Sequence, residues 1–230
     1  MLINREKCSD MLKAVIVVCS IGGVAISLIQ ARFDGFIPWG TRLLYFTAQS
    51  NLWIGFTCLA LLLIPFQSHN EKRLRVLYLL KYVFTVSITT TGLIFCGLLG
   101  PFADKTMHPW SFSSFLTHVF SPFFAVVDFF VEPYPLPLKK RDKWLPLIPS
   151  SAYVVITGVL NLGNFNFGRG DPYPYFFMHL RSPVGLFGFG RVFPFYMGSF
   201  YWITIFALLT LAISLLYAKR YERKQHAERQ

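Results

Sequence analysis

The sequence predicts an all-α membrane protein in which six transmembrane helices form one bundle and both termini are cytoplasmic. Three observations lead to this fold class. Of the 230 residues, 54% are apolar and only 14% are charged, whereas soluble domains contain about 25% charged residues. Six apolar segments are long enough to cross hydrocarbon, which requires roughly 20 residues in a helix. Basic residues are concentrated at the termini and in every second connection, as the positive-inside rule describes.

The six predicted spans are the apolar runs of the chain, taken in order. They cover residues 12–30, 41–66, 76–99, 112–131, 144–162 and 194–218. The first run is too long for the apolar core of a signal peptide. No small-residue cleavage site follows it before Phe33, so it is predicted to be a retained span. Residues 1–230 are therefore predicted to form a single membrane domain.

Lysine and arginine residues determine the predicted orientation of this bundle. Basic clusters occur at residues 5–13, 72–75, 139–143 and 219–229. With six spans, all four clusters lie on one side, so we predict a multi-pass protein of the cell membrane. The net charge of +11 then reflects this topology and attraction to anionic lipid headgroups. Membrane lipids are the expected partners and nucleic acid is not, while the oligomeric state is left open.

An unusual polar patch interrupts the second predicted span. Residues 45–53 read YFTAQSNLW, so Thr47, Gln49, Ser50 and Asn51 fall within five positions of a segment that enters hydrocarbon. An unsatisfied polar group there costs several kcal/mol. The fourth span carries SFLTHVFSPFF, in which His118 is the ionisable residue.

The two polar sites are predicted to lie at similar depth. Both spans run inward from the outer side, and Thr47 and His118 are each about six residues, or about 9 Å, from the start of their span. Asn51 lies one turn from Thr47 on the same helix face. An ionisable residue within a membrane is a functional candidate by default. The alternative is that these side chains only hold helices together through hydrogen bonds, each contributing about 0.6 kcal/mol.

The long outer connection is predicted to cover the mouth of the bundle or to lie in the membrane interface. Residues 163–193 contain too many Gly and Pro residues for a long helix, and too many Phe and Tyr residues for a freely solvated loop. Tyr173, Tyr175 and His179 in this loop are candidates for contacting a substrate or forming a lid.

No metal or cofactor is predicted. The four cysteines show no CxxC spacing and no pairing with histidines that would indicate a zinc site, so they are interpreted as small hydrophobic residues. Asp128 lies near the cytoplasmic end of the fourth span, at a depth close to that of Lys81 and beside Glu132. We interpret these three residues as a structural ion pair or a solvated helix end.

Three segments carry a resemblance to a known family. YFTAQSN, the following THVFSPFF segment with Asp128, and PYPYFF in the outer loop resemble the signature of bacterial six-span membrane proteins. That group is similar, more distantly, to the androgen-induced membrane threonine hydrolases, which cleave fatty acid esters of hydroxy fatty acids with an intramembrane Thr and His. The resemblance implies a six-helix fold, a nucleophile at Thr47 and a histidine at His118.

The implied reaction is hydrolysis of an acyl ester on the extracytoplasmic side of the membrane. A threonine hydroxyl is a weak nucleophile and needs a base, which neutral imidazole can provide. Asn51 is the first candidate for binding or positioning the oxyanion, followed by Gln49 and Ser50. The substrate would be a lipid with an acyl chain. Two alternatives remain open from sequence: binding or transport of a lipid or small amphiphile without catalysis, and membrane acyl transfer.

Overall fold

Six helices of the described chain are long and apolar enough to cross a membrane, which confirms the predicted all-α six-helix fold. A computed structural model describes residues 2–34, 39–64, 71–103, 109–132, 138–168 and 170–229. The helices suited to spanning are Arg5–Phe33, Phe46–Leu63, Glu71–Leu99, Phe112–Val131, Lys140–Leu162 and Ser199–Arg223. They correspond one to one with the six predicted spans.

Several spans combine an α-helix with a π-helical or 3₁₀ turn. The α-helices are α1 (Leu2–Val17), α2 (Gly23–Asp34), α3 (Phe46–Leu63), α4 (Glu71–Ile94), α5 (Phe112–Phe115), α6 (Ser121–Val131), α7 (Leu147–Leu162) and α8 (Ser199–Arg229). Five-residue π-helical turns occur at Val18–Gly22, Phe95–Leu99 and Leu116–Phe120, and 3₁₀ turns at Trp39–Leu44 and Lys140–Trp144. Each π-helical turn lies within or at the end of a span, and such turns are frequent at functional sites.

The ends of the helices differ from the predicted span limits in two ways. The second span was predicted from residue 41, but α3 begins at Phe46 because the backbone of Tyr45 is extended, with ψ 136°. By contrast, α4 begins at Glu71 and α8 continues to Arg229, beyond the predicted limits. Hydropathy detects the part of a helix suited to hydrocarbon, whereas Lys, Arg and Glu continue a helix readily in water.

Glycines and small residues let the first four spans pack closely. A Cβ atom added to Gly55 would lie 2.4 Å from Ser20 Oγ, and one added to Gly23 would lie 2.8 Å from Thr117 Cγ2. Close backbone approach of this kind drives helix association in lipid, where the hydrophobic effect between helices is lost. The packed interior includes Ile54 and Ile88, both fully buried.

A buried ionic cluster joins the first, third and fourth spans. It consists of Ser9, Lys13, Lys81, Asp128 and Glu132. Lys81 forms ion pairs with Asp128 and with Glu132, the latter at 2.6 Å, and Lys13 Nζ lies 2.9 Å from Glu132. Ser9 donates a hydrogen bond to Asp128 and accepts one from Lys13 at 2.7 Å. The two lysines balance the two carboxylates, so the predicted structural role of Asp128 and Lys81 agrees with the geometry.

The outer loop is partly buried against the bundle and partly exposed. Phe167 and Met178 are almost fully buried, whereas Phe187 and Phe189 are exposed. The exposed pair packs on the first turn of α8, where Phe187 contacts Phe200 and Phe189 contacts Tyr201. The loop thus has an inner segment over the bundle and an outer hairpin next to the last span.

Candidate functional site

Thr47 is the second residue of α3 and lies at the amino-terminal end of that helix. The first N–H groups of an α-helix have no carbonyl acceptor within the helix. In α3, the N–H of Thr47 donates to the hydroxyl of Tyr175 at 3.4 Å, and Thr47 Oγ1 lies 3.3 Å from the same oxygen. The hydroxyl and the N–H group of Thr47 therefore both face the Tyr175 oxygen.

Tyr175 reaches this position from the outer loop. Its backbone is extended, with φ −140° and ψ 147°, and it precedes the short 3₁₀ helix Phe176–Met178. The ring stacks on Phe177 with centroids 5.0 Å apart and meets the edge of Tyr45 at 5.5 Å. Burial raises the pKa of the Tyr175 phenol, with hydrogen bonds from Thr47 opposing the shift. The phenol is therefore neutral at physiological pH and can both donate and accept a hydrogen bond.

Thr47 and Tyr175 lie in the wall of an elongated apolar cavity of about 260 Å³. Other parts of the wall come from the outer half of the third span, from α7 and from α8, including Thr90, Val154 and Phe206. From Thr90 to Leu99, the cavity extends along ten residues of the third span, a rise of about 14 Å. Among the lining residues, tyrosines are the only ones with an ionisable side chain. The cavity is therefore suited to an uncharged apolar chain with a polar group near Thr47.

Asn51 and Ser50 support the backbone of Thr47. The fully buried Asn51 amide donates to the carbonyl oxygens of Thr47 and Thr117, at 2.9 and 3.0 Å. Ser50 donates to the same Thr47 carbonyl at 3.2 Å and pairs with Thr91 at 3.3 Å. Neither contact involves the Thr47 hydroxyl. Both residues therefore position the first turn of α3 and its connection to the third and fourth spans.

Gln49 faces away from Thr47. Its amide donates to the carbonyl of Leu43 at 3.2 Å, and its side chain lines a second cavity, also of about 260 Å³. Tyr153 lines both cavities and separates them. Nothing in the sequence pattern pointed to Tyr153, whereas the polar run of the third span that supplies Thr90 and Thr91 could have been noticed.

His118 lies in the π-helical turn Leu116–Phe120 and faces the third span. Its ring stacks on Phe95 with centroids 3.5 Å apart and an interplanar angle of 8°. Its Nδ1 is buried and has no hydrogen-bond partner among the residues that the structure describes. His118 is not among the residues that line the Thr47 cavity, and within the described chain Thr47 bonds to Tyr175 rather than to the imidazole. Asn51 bridges the backbones of Thr47 and Thr117, the residue that precedes His118.

Tyr173 and His179 form a separate pair in the outer loop. Their rings stack at 4.3 Å, and neither lines the Thr47 cavity. Burial lowers the pKa of His179, while the carboxylate of Asp171 opposes that shift. Of the three loop residues predicted to contact a substrate or form a lid, Tyr175 is thus the one that borders the cavity.

Comparison with known proteins adds no assignment to this geometry. No family model, curated protein or solved structure matches the chain. The site itself contains the hydroxyl and the N–H of Thr47, both within hydrogen-bond distance of the Tyr175 hydroxyl, and an apolar cavity beside them.

Proposed function

We propose that this protein is an intramembrane hydrolase of acyl esters in which Thr47 is the nucleophile. The observation that carries the proposal is the shared position of the Thr47 hydroxyl and the Thr47 N–H, which both face the Tyr175 oxygen. Ester cleavage requires a nucleophile and, within about 3 Å of the carbonyl oxygen, donors that stabilise the oxyanion. An apolar cavity large enough for part of an acyl chain lies beside these groups.

The amino-terminal end of α3 supports oxyanion binding. The aligned peptide dipoles of an α-helix give its amino terminus a partial positive charge, which favours an anion there. In the structure the Tyr175 oxygen occupies the position that the Thr47 N–H faces. A substrate carbonyl oxygen that takes this position, with the Tyr175 hydroxyl turned to donate to it, meets both donors. This assignment replaces Asn51, Gln49 and Ser50 as oxyanion donors, because their side-chain amides and hydroxyl are bonded elsewhere.

The proposed reaction has two steps. Thr47 Oγ1 attacks the ester carbonyl and passes its proton to His118, which then protonates the departing alkoxide. Water next cleaves the acyl-threonine, releasing a fatty acid and restoring both side chains. In the structure the imidazole is stacked on Phe95, so this step requires the ring to move or a water molecule to connect it to Thr47. Its buried Nδ1, which has no partner, is available for this role.

The acyl chain of the substrate occupies the apolar cavity. The walls contain no charged side chain, so the ligand is neutral where it lies between α7 and α8. Fatty acid esters of hydroxy fatty acids, the class implied by the resemblance in the sequence, meet this requirement with their uncharged acyl chain and ester group, while their free carboxylate must lie outside the cavity. Membrane lipids surround the bundle, and the lipid substrate is the proposed partner.

Lipid binding without catalysis is the second candidate function. It is favoured by one observation: the lining of the Thr47 cavity includes no histidine or carboxylate that could act as a base. Labelling of the purified protein with a long-chain fluorophosphonate distinguishes the two functions. A hydrolase forms a covalent adduct at Thr47, and an acyl ester competes with it. A protein that only binds lipid forms no adduct with the fluorophosphonate and leaves a bound ester uncleaved.

Tyr175→Phe should lower the kcat of ester hydrolysis about 100-fold, because it removes one oxyanion donor. The ring remains to fill the same space, so KM should change little. Steady-state hydrolysis of a fluorogenic long-chain ester measures both constants. The matched control is Tyr173→Phe in the same loop, which should retain wild-type kcat. An equal loss in both variants would show that the loop, rather than the Tyr175 hydroxyl, is responsible.

The site is proposed to open toward the extracytoplasmic side of the cell membrane, with both chain termini in the cytoplasm. A reporter that is fluorescent only in the cytoplasm should give signal at either terminus, because the basic clusters are retained there. The same reporter inserted near residue 170 should be silent. Signal at residue 170 would contradict this orientation and place Thr47 near the cytoplasmic face.

A further inference from the structure

The cavity beside Thr47 is open at one side of the bundle. Three of its lining residues are exposed on the protein surface: Ser151 and Val155 on α7, and Ala207 on α8. Ser151 and Val155 are four residues apart and lie on one face of α7. Both helices belong to spans suited to hydrocarbon, so the gap between them faces lipid rather than water.

The outer end of the same cavity is covered by protein. Tyr175, Phe177 and Met178 line it from the loop, and Phe177 and Met178 are only 9% and 1% exposed. Phe177 meets the edge of Phe206 on α8, with centroids 4.8 Å apart. A long apolar chain arriving from the aqueous side would have to displace this cover.

We propose that a lipid acyl chain reaches the Thr47 cavity sideways from the bilayer, through a portal between α7 and α8 bordered by Val155 and Ala207. The ligand class is an acyl ester dissolved in the membrane, whose uncharged chain and ester group enter the cavity. The location of the portal rests on cavity geometry, whereas cleavage of the ligand rests on the proposed function of Thr47. Ala207 contributes only a methyl group to the border, which leaves the gap open beside Val155.

The chain offers a matched pair of variants on α7. Val155 and Val159 are both valines, both 64% exposed and one turn apart, but only Val155 lines the cavity. The probe is a photoreactive long-chain fatty ester in phosphatidylcholine vesicles that contain the whole protein. Covalent crosslinking is measured after illumination, so the readout does not depend on hydrolysis.

Val155→Trp should lower the initial rate of crosslinking about tenfold, a change that corresponds to about 1.4 kcal/mol. Val159→Trp should leave the rate within about twofold of the wild type, or about 0.4 kcal/mol. Val155→Ala, which removes bulk from a lipid-facing position and adds none, should raise the rate. Wild-type rates in both Val155 variants would overturn the portal. Equal losses at Val155 and Val159 would do the same.

Thr47→Ala separates the portal from the proposed function. It changes the cavity wall but leaves Val155 and Ala207 at the border intact, so adding Val155→Trp to it should still lower the crosslinking rate about tenfold, while ester hydrolysis is lost. Hydrolysis that survives in Thr47→Ala would overturn the nucleophile and leave the portal standing. Crosslinking that is insensitive to Val155, with hydrolysis lost in Thr47→Ala, would overturn the portal alone.

Discussion

Replacing Thr47 by alanine is expected to lower kcat/KM for a long-chain ester at least about 1,000-fold, because loss of a nucleophile removes the covalent route to product. Labelling by a fluorophosphonate should disappear in the same variant. The Thr47 N–H and the apolar walls remain, so binding of the ester should persist. Hydrolysis by purified protein in mixed micelles, with product analysis, provides the measurement. Adding an alcohol acceptor to the same assay detects any acyl transfer.

Conservative variants determine whether the Thr47 hydroxyl itself is responsible. Thr47→Val has nearly the same shape without the hydroxyl and should be as inactive as the alanine variant, whereas Thr47→Ser should keep measurable activity. His118→Ala should lose activity to a similar degree, and the double variant should be no worse, because a nucleophile and its base act as a unit. Activity in Thr47→Val would eliminate Thr47 as nucleophile and favour lipid binding alone.

Replacing Lys81 by methionine is expected to destabilise the protein by about 3–5 kcal/mol, because removing one partner of a buried ion pair leaves the other charge uncompensated. Lys81 is 2% exposed and contacts both Asp128 and Glu132. In this variant Lys13 is the one lysine of the cluster that remains to compensate the charges of Asp128 and Glu132. Thermal unfolding in detergent, followed by helical circular dichroism, should show a large fall in Tm.

Lys143→Met is the matched control for this prediction. Lys143 pairs with Glu222 at 2.9 Å, but both side chains are partly exposed, at 23% and 40%. Exposed pairs of this kind contribute about 0.2–1 kcal/mol, so the shift in Tm should be small. Adding Asp128→Asn to Lys81→Met should recover part of the lost stability by restoring charge balance. Equal effects of the two lysine variants would contradict the assignment of the cluster as a buried structural element.

The candidate site could be predicted only in part. The sequence pointed to Thr47, Asn51 and Tyr175 as candidates, because polar residues in an apolar span and aromatic residues in a connecting loop are visible in the sequence. It did not identify which of these side chains contact one another. The depth predicted for Thr47 depended on a second span that begins at residue 41, whereas the backbone of Tyr45 is extended and Thr47 lies in the first turn of α3.

By itself, the sequence determined that this protein has six membrane-spanning helices. A segment that crosses hydrocarbon must be a helix of about 20 apolar residues, because its backbone groups can only bond to one another there. This requirement is therefore visible in the composition of each segment. Only the tertiary structure decided that Thr47 faces Tyr175 and that His118 faces Phe95. Which side chains meet depends on the rotation of each helix, and one extra residue in a π-helical turn, as at Leu116–Phe120, rotates the following residues by about 100°. It also depends on the path of a loop that returns Tyr175 to a helix 128 residues earlier in the chain.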